Sequence, residues 1–355
     1  MLVPVGCKRN DPATGITEPI SKMALITGDM ELEIDFNNAA LWEGITTCGD
    51  ANGIEYAYYT PEEITEDAIS KQFEAAINDG AKVIICMGDS FADTISHEQI
   101  EHPDIKIIAI DISAASIGEL EKNTHCVMFR QEQGGYLAGY GAVKDGFRKL
   151  GFMGLRDTET YASYYYGFIQ GANDAAVEME ENVEMNVAFA SDFDSEDDAI
   201  AKCDEWYKAG TEIIMVSGDD IFTQRCTECA VDNFTYVIGT NNDQSYIGSS
   251  FDYNPFMTSA MKGLREAVDA TLEMMLAGEW DSQLGGQTVY FGLQSGNYIY
   301  LPDNESLWLF NEFTMENYLE LCDKIASGAI NVGSETIPKV NDEYFALHIN
   351  GEETE

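Results

Sequence analysis

The chain has 355 residues, of which 45% are hydrophobic and only eight are proline. That length suits two domains, each with its own core, better than one. Asp and Glu total 63 against 19 Lys and Arg, which gives a formal net charge of −44. Because nucleic-acid affinity comes mainly from Lys and Arg that neutralise phosphates, this charge excludes DNA, RNA and anionic lipid surfaces as partners. We interpret the acidic residues as a well-solvated surface.

The first residues contain a candidate lipid attachment site. Residues 2–7 read Leu-Val-Pro-Val-Gly-Cys, like the end of a lipoprotein signal, in which a small residue precedes the acylated cysteine. We therefore expect residues 1–21 to form a tether that is attached to lipid at Cys7, and a plain N-terminal thiol is the alternative. No stretch of the sequence approaches the roughly 20 apolar residues that span a bilayer.

The first half of the chain alternates short apolar runs with amphipathic segments, a pattern typical of parallel α/β sheets. The expected strands are residues 23–27, 54–59, 82–87 and 105–112. Between the second and third of these, Ile69, Phe73 and Ala76 recur with helical spacing before Gly80, a typical helix stop. The pattern predicts strands connected by helices.

The alternation restarts at Lys149, which predicts a second unit of similar build. Its expected strands are residues 150–153, 185–189, 213–217 and 236–239, and a long helix is predicted over 258–276. We therefore predict an α/β fold with two lobes. The predicted division assigns residues 22–128 and about 251–290 to lobe 1, 129–250 and about 291–340 to lobe 2, and 341–355 to an acidic tail.

Motifs for catalysis or metal binding are weak in this sequence. It contains no phosphate-binding loop, no dinucleotide-binding glycine fingerprint and no nucleophile elbow. Glycine-rich residues 134–139 open a helical segment, where close helix packing is the expected role. His97 and His102 are five residues apart and cannot share the helix face of a zinc hydrolase motif. Cys226 and Cys229 form a lone pair in a predicted helix. We expect a binding protein with no metal or cofactor.

Several short stretches of the chain occur in an order that one protein family shares. They are Asp35-Phe36-Asn37, Trp42-Glu43-Gly44, residues 129–139, Gly167-Phe168 with Gly171, residues 237–244, and Thr258-Ser259 with Lys262. Together they resemble the basic membrane protein family, the PnrA-like purine-nucleoside-binding lipoproteins of ABC importers, over roughly residues 22–302. The resemblance implies the type I periplasmic binding protein fold, with a ligand cleft between two lobes that each hold a parallel sheet flanked by helices.

The resemblance also implies a set of ligand-binding residues. In the family the base lies between two aromatic rings, while carboxylates, amides and a lysine hold the ribose. Carried over by motif, Phe36 is the first ring and Phe222 the candidate for the second, with a plain packing role for Phe222 left open. The other expected ligand-binding residues are Asp29, Asn37, Asp111, Gly218, Asn241, Asp243 and Lys262. Asn241 stands where the family usually has an aspartate.

The resulting hypothesis is a monomeric solute-binding protein of an ABC importer, outside the cell membrane or in the periplasm. It would bind a nucleoside, most simply a purine nucleoside, and deliver it to permease subunits. A sugar binder or sensor of the same fold and a nucleoside-acting enzyme are the alternatives, because one fold hosts many sites. A sugar site would show more paired acid, amide and tryptophan side chains, whereas an enzyme would release free base from guanosine or inosine.

Overall fold

The computed structural model describes residues 20–28, 32, 35–156, 158–304, 307–334 and 336–353. The chain folds into two compact units. The first comprises the described residues up to Val127 together with Val268–Val289, and the second comprises Met128–Ala267 and the described residues from Tyr290 onward. The chain therefore enters the second unit, returns to the first and enters the second again.

The first sheet has six strands. They are β1 (Lys22–Ile26), β2 (Glu55–Tyr59), β3 (Val83–Met87), β4 (Lys106–Ile110), β5 (Thr124–Phe129) and β11 (Gln287–Phe291). Their spatial order is β11-β5-β4-β3-β1-β2, and the pairings from β2 to β5 are all parallel. Residues 83–86 of the central β3 are all buried, as expected for a parallel strand that helices cover on both faces.

The second sheet repeats this arrangement with eight strands. They are β6 (Lys149–Gly154), β7 (Val183–Phe189), β8 (Ile213–Ser217), β9 (Tyr236–Asn241), β10 (Phe256–Lys262), β12 (Ile299–Tyr300), β13 (Phe345–Ile349) and β14 (Glu352–Glu353). Their order is β12-β10-β9-β8-β6-β7-β13-β14, with parallel pairing from β10 to β13 and antiparallel pairing at both ends. The predicted α/β class with parallel sheets is confirmed.

Helices connect the strands and cover the sheets. They are α1 (Phe36–Asn52), α2 (Glu66–Asn78), α3 (Ala92–Glu101), α4 (Ala114–Ile117), α5 (Gln131–Lys144), α6 (Glu159–Met179), α7 (Glu196–Lys208), α8 (Asp220–Asp232), α9 (Ser245–Gly248), α10 (Leu264–Leu276) and α11 (Met315–Ala326). Phe73 and Ile84 belong to the core of the first unit, and Met153 and Trp206 to that of the second. Burial of these apolar side chains supplies the main driving force for each unit.

The glycine-rich start of α5 packs tightly against α6. A Cβ atom at Gly135 would collide with the carbonyl oxygen of Tyr164, and one at Gly167 would collide with the carbonyl oxygen of Glu132. Because glycine has no Cβ, it lets two helix backbones approach this closely. The packing role predicted for residues 134–139 is confirmed. The same approach holds the Tyr164 hydroxyl 3.3 Å from the carbonyl oxygen of Ala260 in β10.

The segment from residue 251 to 276 differs from the prediction. A strand, β10, occupies Phe256–Lys262 where we predicted the start of a helix, and α10 begins only at Leu264, after Gly263. Because β10 pairs with β9, residues 251–267 belong to the second unit and not to the first. The helical spacing of apolar residues here was overridden by strand pairing, which satisfies the backbone groups with partners distant in sequence.

The acidic C-terminal segment is not a tail over its described residues. β13 runs parallel to β7, with Phe345 opposite Val183 and Ile349 opposite Val187, and β14 pairs with β13. The side chains of Phe345 and Leu347 are buried. Over 345–348 buried and partly exposed residues alternate with the period of a half-buried strand, and the high content of acid around the segment concealed that signal.

Candidate functional site

The carboxyl edge of the first sheet, where ligands bind in open parallel sheets, carries an exposed aromatic ring. Asp35 caps the helix that follows β1, since its Oδ1 accepts the N–H groups of Asn37 at 3.1 Å and Asn38 at 3.0 Å. Phe36 is the first residue of α1, and its side chain is 50% exposed. A ring of this size is more often buried, so its position at a ligand-binding edge suits contact with a flat ligand.

Asp111 follows β4 at the same edge. Its backbone lies in the left-handed region with φ 52°, and its N–H donates to the carbonyl oxygen of Val127 at 2.8 Å. The side chain is fully buried. A left-handed aspartate costs conformational energy and persists only where its surroundings hold it, a situation that is common at ligand sites. The strand therefore ends in a buried carboxyl group on a backbone of uncommon conformation.

The loop after β8 forms part of the carboxyl edge of the second sheet. Asp219 caps α8 by accepting the N–H of Phe222 at 2.8 Å. A Cβ atom at Gly218 would lie 2.6 Å from the ring of Phe222 and 3.3 Å from the Cβ of Leu155. Phe222 is 1% exposed and packs in the core of the second unit. This burial gives the ring a packing role, and Gly218 leaves the room that the ring occupies.

The end of β9 carries the second left-handed polar residue of a strand end. Asn241 has φ 70°, and the turn that follows is fixed by Gln244, whose Oε1 accepts the N–H of Thr240 at 2.9 Å. Asp243 accepts the N–H of Ser245 at 3.1 Å. The side chains of Asn241 and Asp243 are both partly exposed. This turn therefore presents an amide and a carboxyl group from a rigid backbone.

Lys262 is the last residue of β10, opposite Ile299 of β12, and not a helix residue as we predicted. Only 4% of it is exposed. Its Nζ lies 5.7 Å from the ring centre of Phe129 and 5.9 Å from that of Tyr164. An ammonium group within about 6 Å of two aromatic rings gains a cation–π contribution of up to about 2 kcal/mol per ring when it is shielded from water. The cation is thus held at the strand end.

Tyr164 is a residue that the sequence analysis did not select. It is fully buried in α6, and its hydroxyl contacts Asn241, by accepting the backbone N–H at 3.3 Å and lying 3.4 Å from Oδ1. The tight packing predicted for residues 134–139 was the one signal that could have led to it.

Two of the predicted functional residues, Asp29 and Cys7, lie outside the described residues.

Asp243 lines a cavity of about 250 Å³ in the second unit, together with Phe256, Pro302 and Leu307. Apolar side chains therefore form much of the wall of this cavity beside Asp243. Another cavity of the second unit, of about 650 Å³, is lined by Asn173, Asp174, Val177 and Glu178 of α6 and by residues 339–342, and none of the predicted ligand-binding residues lines it.

Cys203 and Cys226 of the second unit are buried thiols, while Cys229 and Cys322 are partly buried. The Sγ atoms of Cys203 and Cys226 lie 3.8 Å apart, and burial raises the pKa of Cys229 to about 12. Such thiols are protonated at neutral pH and are poor nucleophiles or metal ligands. Within the described ranges, no group of three or more His, Cys, Asp or Glu side chains is arranged to hold a metal ion.

None of the helices in the described part of the chain is both long and apolar enough to cross a membrane.

Comparison with protein families identifies one match that covers most of the chain. The model of the Bmp family, described as ABC transporter substrate-binding protein PnrA-like, matches residues 35–336. The match runs from α1 to α11, with β1, β13 and β14 outside it, and it agrees with the resemblance carried by the short motifs.

Curated relatives are distant but cover the chain well. One is the ABC transporter nucleoside-binding protein BmpA of Lactococcus lactis subsp. cremoris, 21% identical over 83% of this chain and 86% of its own. Another is basic membrane protein B of Borreliella burgdorferi, 27% identical over 81% of this chain and 80% of its own.

Solved structures share the fold at low sequence identity. A solute-binding protein of an ABC transporter system from Aeropyrum pernix matches with a TM-score of 0.66 at 18% identity, over 92% of this chain and 95% of its own. A periplasmic ribose ABC transporter protein from Conexibacter woesei matches with a TM-score of 0.58 at 12% identity, over 83% and 95% of the two chains. These likenesses concern the fold alone.

Proposed function

Because this chain belongs to the family of PnrA-like ABC transporter substrate-binding proteins, we propose that its ligand is a purine nucleoside. The Lactococcus lactis relative is named as nucleoside-binding, which favours this ligand class. In this proposal the protein captures the nucleoside without changing it and passes it to the permease subunits of an ABC importer. It acts as a monomer outside the cell membrane or in the periplasm, and Cys7 is the lipid attachment site.

The observation that carries the proposal is the half-exposed ring of Phe36 at the carboxyl edge of the first sheet. A purine is flat and apolar on both faces, so an aromatic side chain on a fixed helix start gives it a stacking surface. Stacking of a base on one aromatic ring contributes about 1–3 kcal/mol in proteins that bind single-stranded nucleic acid. A sugar without a base would gain much less from this ring.

Polar groups at the strand ends supply the remaining contacts in the proposed site. Asp111 accepts hydrogen bonds from ring N–H or ribose hydroxyl groups, and Asn37 lies next to Phe36 on the first turn of α1. Lys262 donates to ribose hydroxyls, and the Asn241 amide can both donate and accept. Hydrogen bonds to charged groups contribute more than those between neutral groups, so Asp111 and Lys262 are the principal polar contacts.

The proposal is tested by titrating the purified protein with guanosine, inosine, adenosine and cytidine, and with guanine and ribose alone, by calorimetry and thermal shift. We expect purine nucleosides to raise the melting temperature by mass action, with smaller effects of guanine and ribose. Equal stabilisation by ribose and guanosine would contradict base stacking. Release of free base during incubation with inosine, followed by chromatography, would instead favour an enzyme.

A further inference from the structure

The hydroxyl of Tyr164 lies where two neighbouring strands of the second sheet end. It accepts the backbone N–H of Asn241 at 3.3 Å, and it can donate to Oδ1 of the same residue at 3.4 Å or to the carbonyl oxygen of Ala260 at 3.3 Å. Asn241 ends β9, and Ala260 lies near the end of β10. One side chain therefore contacts both strands at the ligand-binding edge.

The aromatic ring of the same side chain faces the cation. Nζ of Lys262 lies 5.9 Å from the ring centre of Tyr164, and the ring of Phe129 lies at 5.7 Å. Lys262 is two residues beyond Ala260 on β10. A lysine side chain has many rotamers, so two flanking rings that attract the ammonium group restrict where it can lie.

Tyr164 is itself fixed by helix packing. It is fully buried, and a Cβ atom at Gly134 would lie 3.4 Å from its Cε1, while one at Gly135 would collide with its carbonyl oxygen. The glycine pair at the start of α5 thus determines how closely the backbone and ring of Tyr164 approach α5. A movement of α6 away from α5 would displace the hydroxyl from both strand ends.

We propose that Tyr164 is a positioning residue, which orients the Asn241 turn through its hydroxyl and the Lys262 ammonium group through its ring. The assignment rests on the proposed function, because it concerns two residues of the proposed nucleoside site. Tyr164 need not touch the ligand. It couples the amide and the cation, so that both reach the same ligand hydroxyls from fixed positions.

Two substitutions separate the hydroxyl from the ring. Tyr164→Phe removes only the hydroxyl, and Tyr164→Leu also removes the ring. Tyr136→Phe is the matched control, because Tyr136 is almost as buried, at 1% exposed, and its hydroxyl donates to Asp174 at 2.9 Å. The Tyr164→Phe variant should bind guanosine roughly 3- to 10-fold more weakly than the wild type, because it lacks one neutral hydrogen bond. Tyr136→Phe should bind guanosine as the wild type does, even if both variants melt at a similarly reduced temperature.

The second measurement needs no ligand. Reductive methylation of lysines, followed by peptide mass spectrometry, gives the rate at which Lys262 reacts relative to the exposed Lys71. Lys262 should react several-fold more slowly than Lys71 in the wild type and in Tyr164→Phe, which keeps the ring. It should react markedly faster in Tyr164→Leu. If Lys262 stays protected from methylation in Tyr164→Phe and loses that protection in Tyr164→Leu, the ring is the part of Tyr164 that holds the ammonium group.

Each outcome decides a different statement. If Tyr164→Phe binds guanosine as tightly as the wild type, the hydroxyl does not position Asn241 for binding. If Lys262 stays equally protected in Tyr164→Leu, the ring does not hold the cation. If the wild-type protein binds none of the nucleosides, the proposed function fails, while the methylation rates still decide the role of the ring.

Discussion

The two units share one strand order but carry different chemistry at their carboxyl edges. Five neighbouring strands of the first sheet lie in the order β2-β1-β3-β4-β5, and five of the second lie in the equivalent order β7-β6-β8-β9-β10. In both, a polar residue in the left-handed region lies at the end of the fourth strand, Asp111 in the first unit and Asn241 in the second. The repeated backbone therefore offers equivalent positions, and the side chain at each position determines what it can bind.

The differences at these edges are in charge and in exposure. The first unit presents the half-exposed ring of Phe36 and the buried carboxyl group of Asp111, whereas the second presents a buried cation, Lys262, and an amide, Asn241. The aromatic residue at the start of α8, Phe222, is buried in the core. One unit thus suits stacking and acceptance of hydrogen bonds, and the other suits donation to hydroxyl groups.

The sharpest contrast is between the two phenylalanines, and Phe222→Ala should have the largest effect. Removing a buried phenylalanine ring leaves a cavity and typically lowers the free energy of unfolding by about 3–5 kcal/mol. Phe36→Ala should change it far less, because half of that side chain is exposed. Chemical denaturation of both variants without ligand measures the difference. Equal loss of stability would place both rings in cores and remove the contrast.

Phe36→Ala should have its main effect on affinity. Loss of one stacking surface that contributes about 1–3 kcal/mol would weaken purine nucleoside binding roughly 5- to 150-fold. Calorimetric titration of the folded variant with guanosine measures this change, and Phe36→Tyr, which keeps the stacking surface, is the control. A variant that binds guanosine normally but melts many degrees lower would show that Phe36 is a core residue.

The equivalent positions Asp111 and Asn241 can be compared by exchanging their side-chain types. Asp111→Asn keeps the shape and removes the charge. We expect roughly tenfold weaker binding, because a hydrogen bond to a charged group contributes about 1.5–3 kcal/mol and one between neutral groups about 0.5–1.5 kcal/mol. Asn241→Asp introduces the aspartate usual in the family and should strengthen binding to the ribose diol. Both residue types tolerate the left-handed backbone, so stability should change little. If Asn241→Asp weakened binding as much as Asp111→Asn, the two edges would not divide the chemistry as proposed.

A buried histidine distinguishes the first unit in its response to acid. Nδ1 of His125 lies 2.9 Å from the carbonyl oxygen of Leu284 and 3.0 Å from that of Gln287, so the Nδ1–H donates to them, while Nε2 is buried without a hydrogen-bond partner. Burial lowers the pKa of His125, against the smaller opposing effect of these carbonyl groups. His125 therefore binds a proton less readily in the folded state than in the unfolded state.

The contribution of neutral His125 to the free energy of unfolding should be fully present above the ordinary histidine pKa of about 6.5. As the pH decreases below this value, the free energy of unfolding should fall by at most about 1.4 kcal/mol per pH unit. Denaturant unfolding of the wild type and of His125→Asn between pH 7 and about pH 5 isolates this contribution. The control is His97→Asn, because His97 is exposed. Fluorescence of Trp280, whose ring centre lies 6.4 Å from that of His125, reports on the first unit. Identical pH slopes for wild type and His125→Asn would contradict the prediction.

Much of the fold followed from local patterns. The strands around residues 150–153, 185–189 and 213–217 were predicted because the hydrophobic pattern of a strand is set by a few neighbouring residues. Residues 258–262 were predicted as the start of a helix and belong to β10, because their strand partner β9 is not visible in their own periodicity. The same reason explains β13, whose residues lie 162 positions beyond their partners in β7, as Phe345 does beyond Val183, and which was predicted as tail.

The sequence by itself determined the α/β class, the two-unit repeat and, through short motifs, the family. Through the resemblance of those motifs it also selected Phe36, Asp111 and Lys262, although it placed Lys262 in a helix and not at the end of a strand. Only the tertiary structure decided that Phe222 packs in a core and that Tyr164 contacts both Asn241 and Lys262. Burial and contact depend on which elements lie side by side, and that is set by packing over the whole unit, which no single stretch of sequence contains.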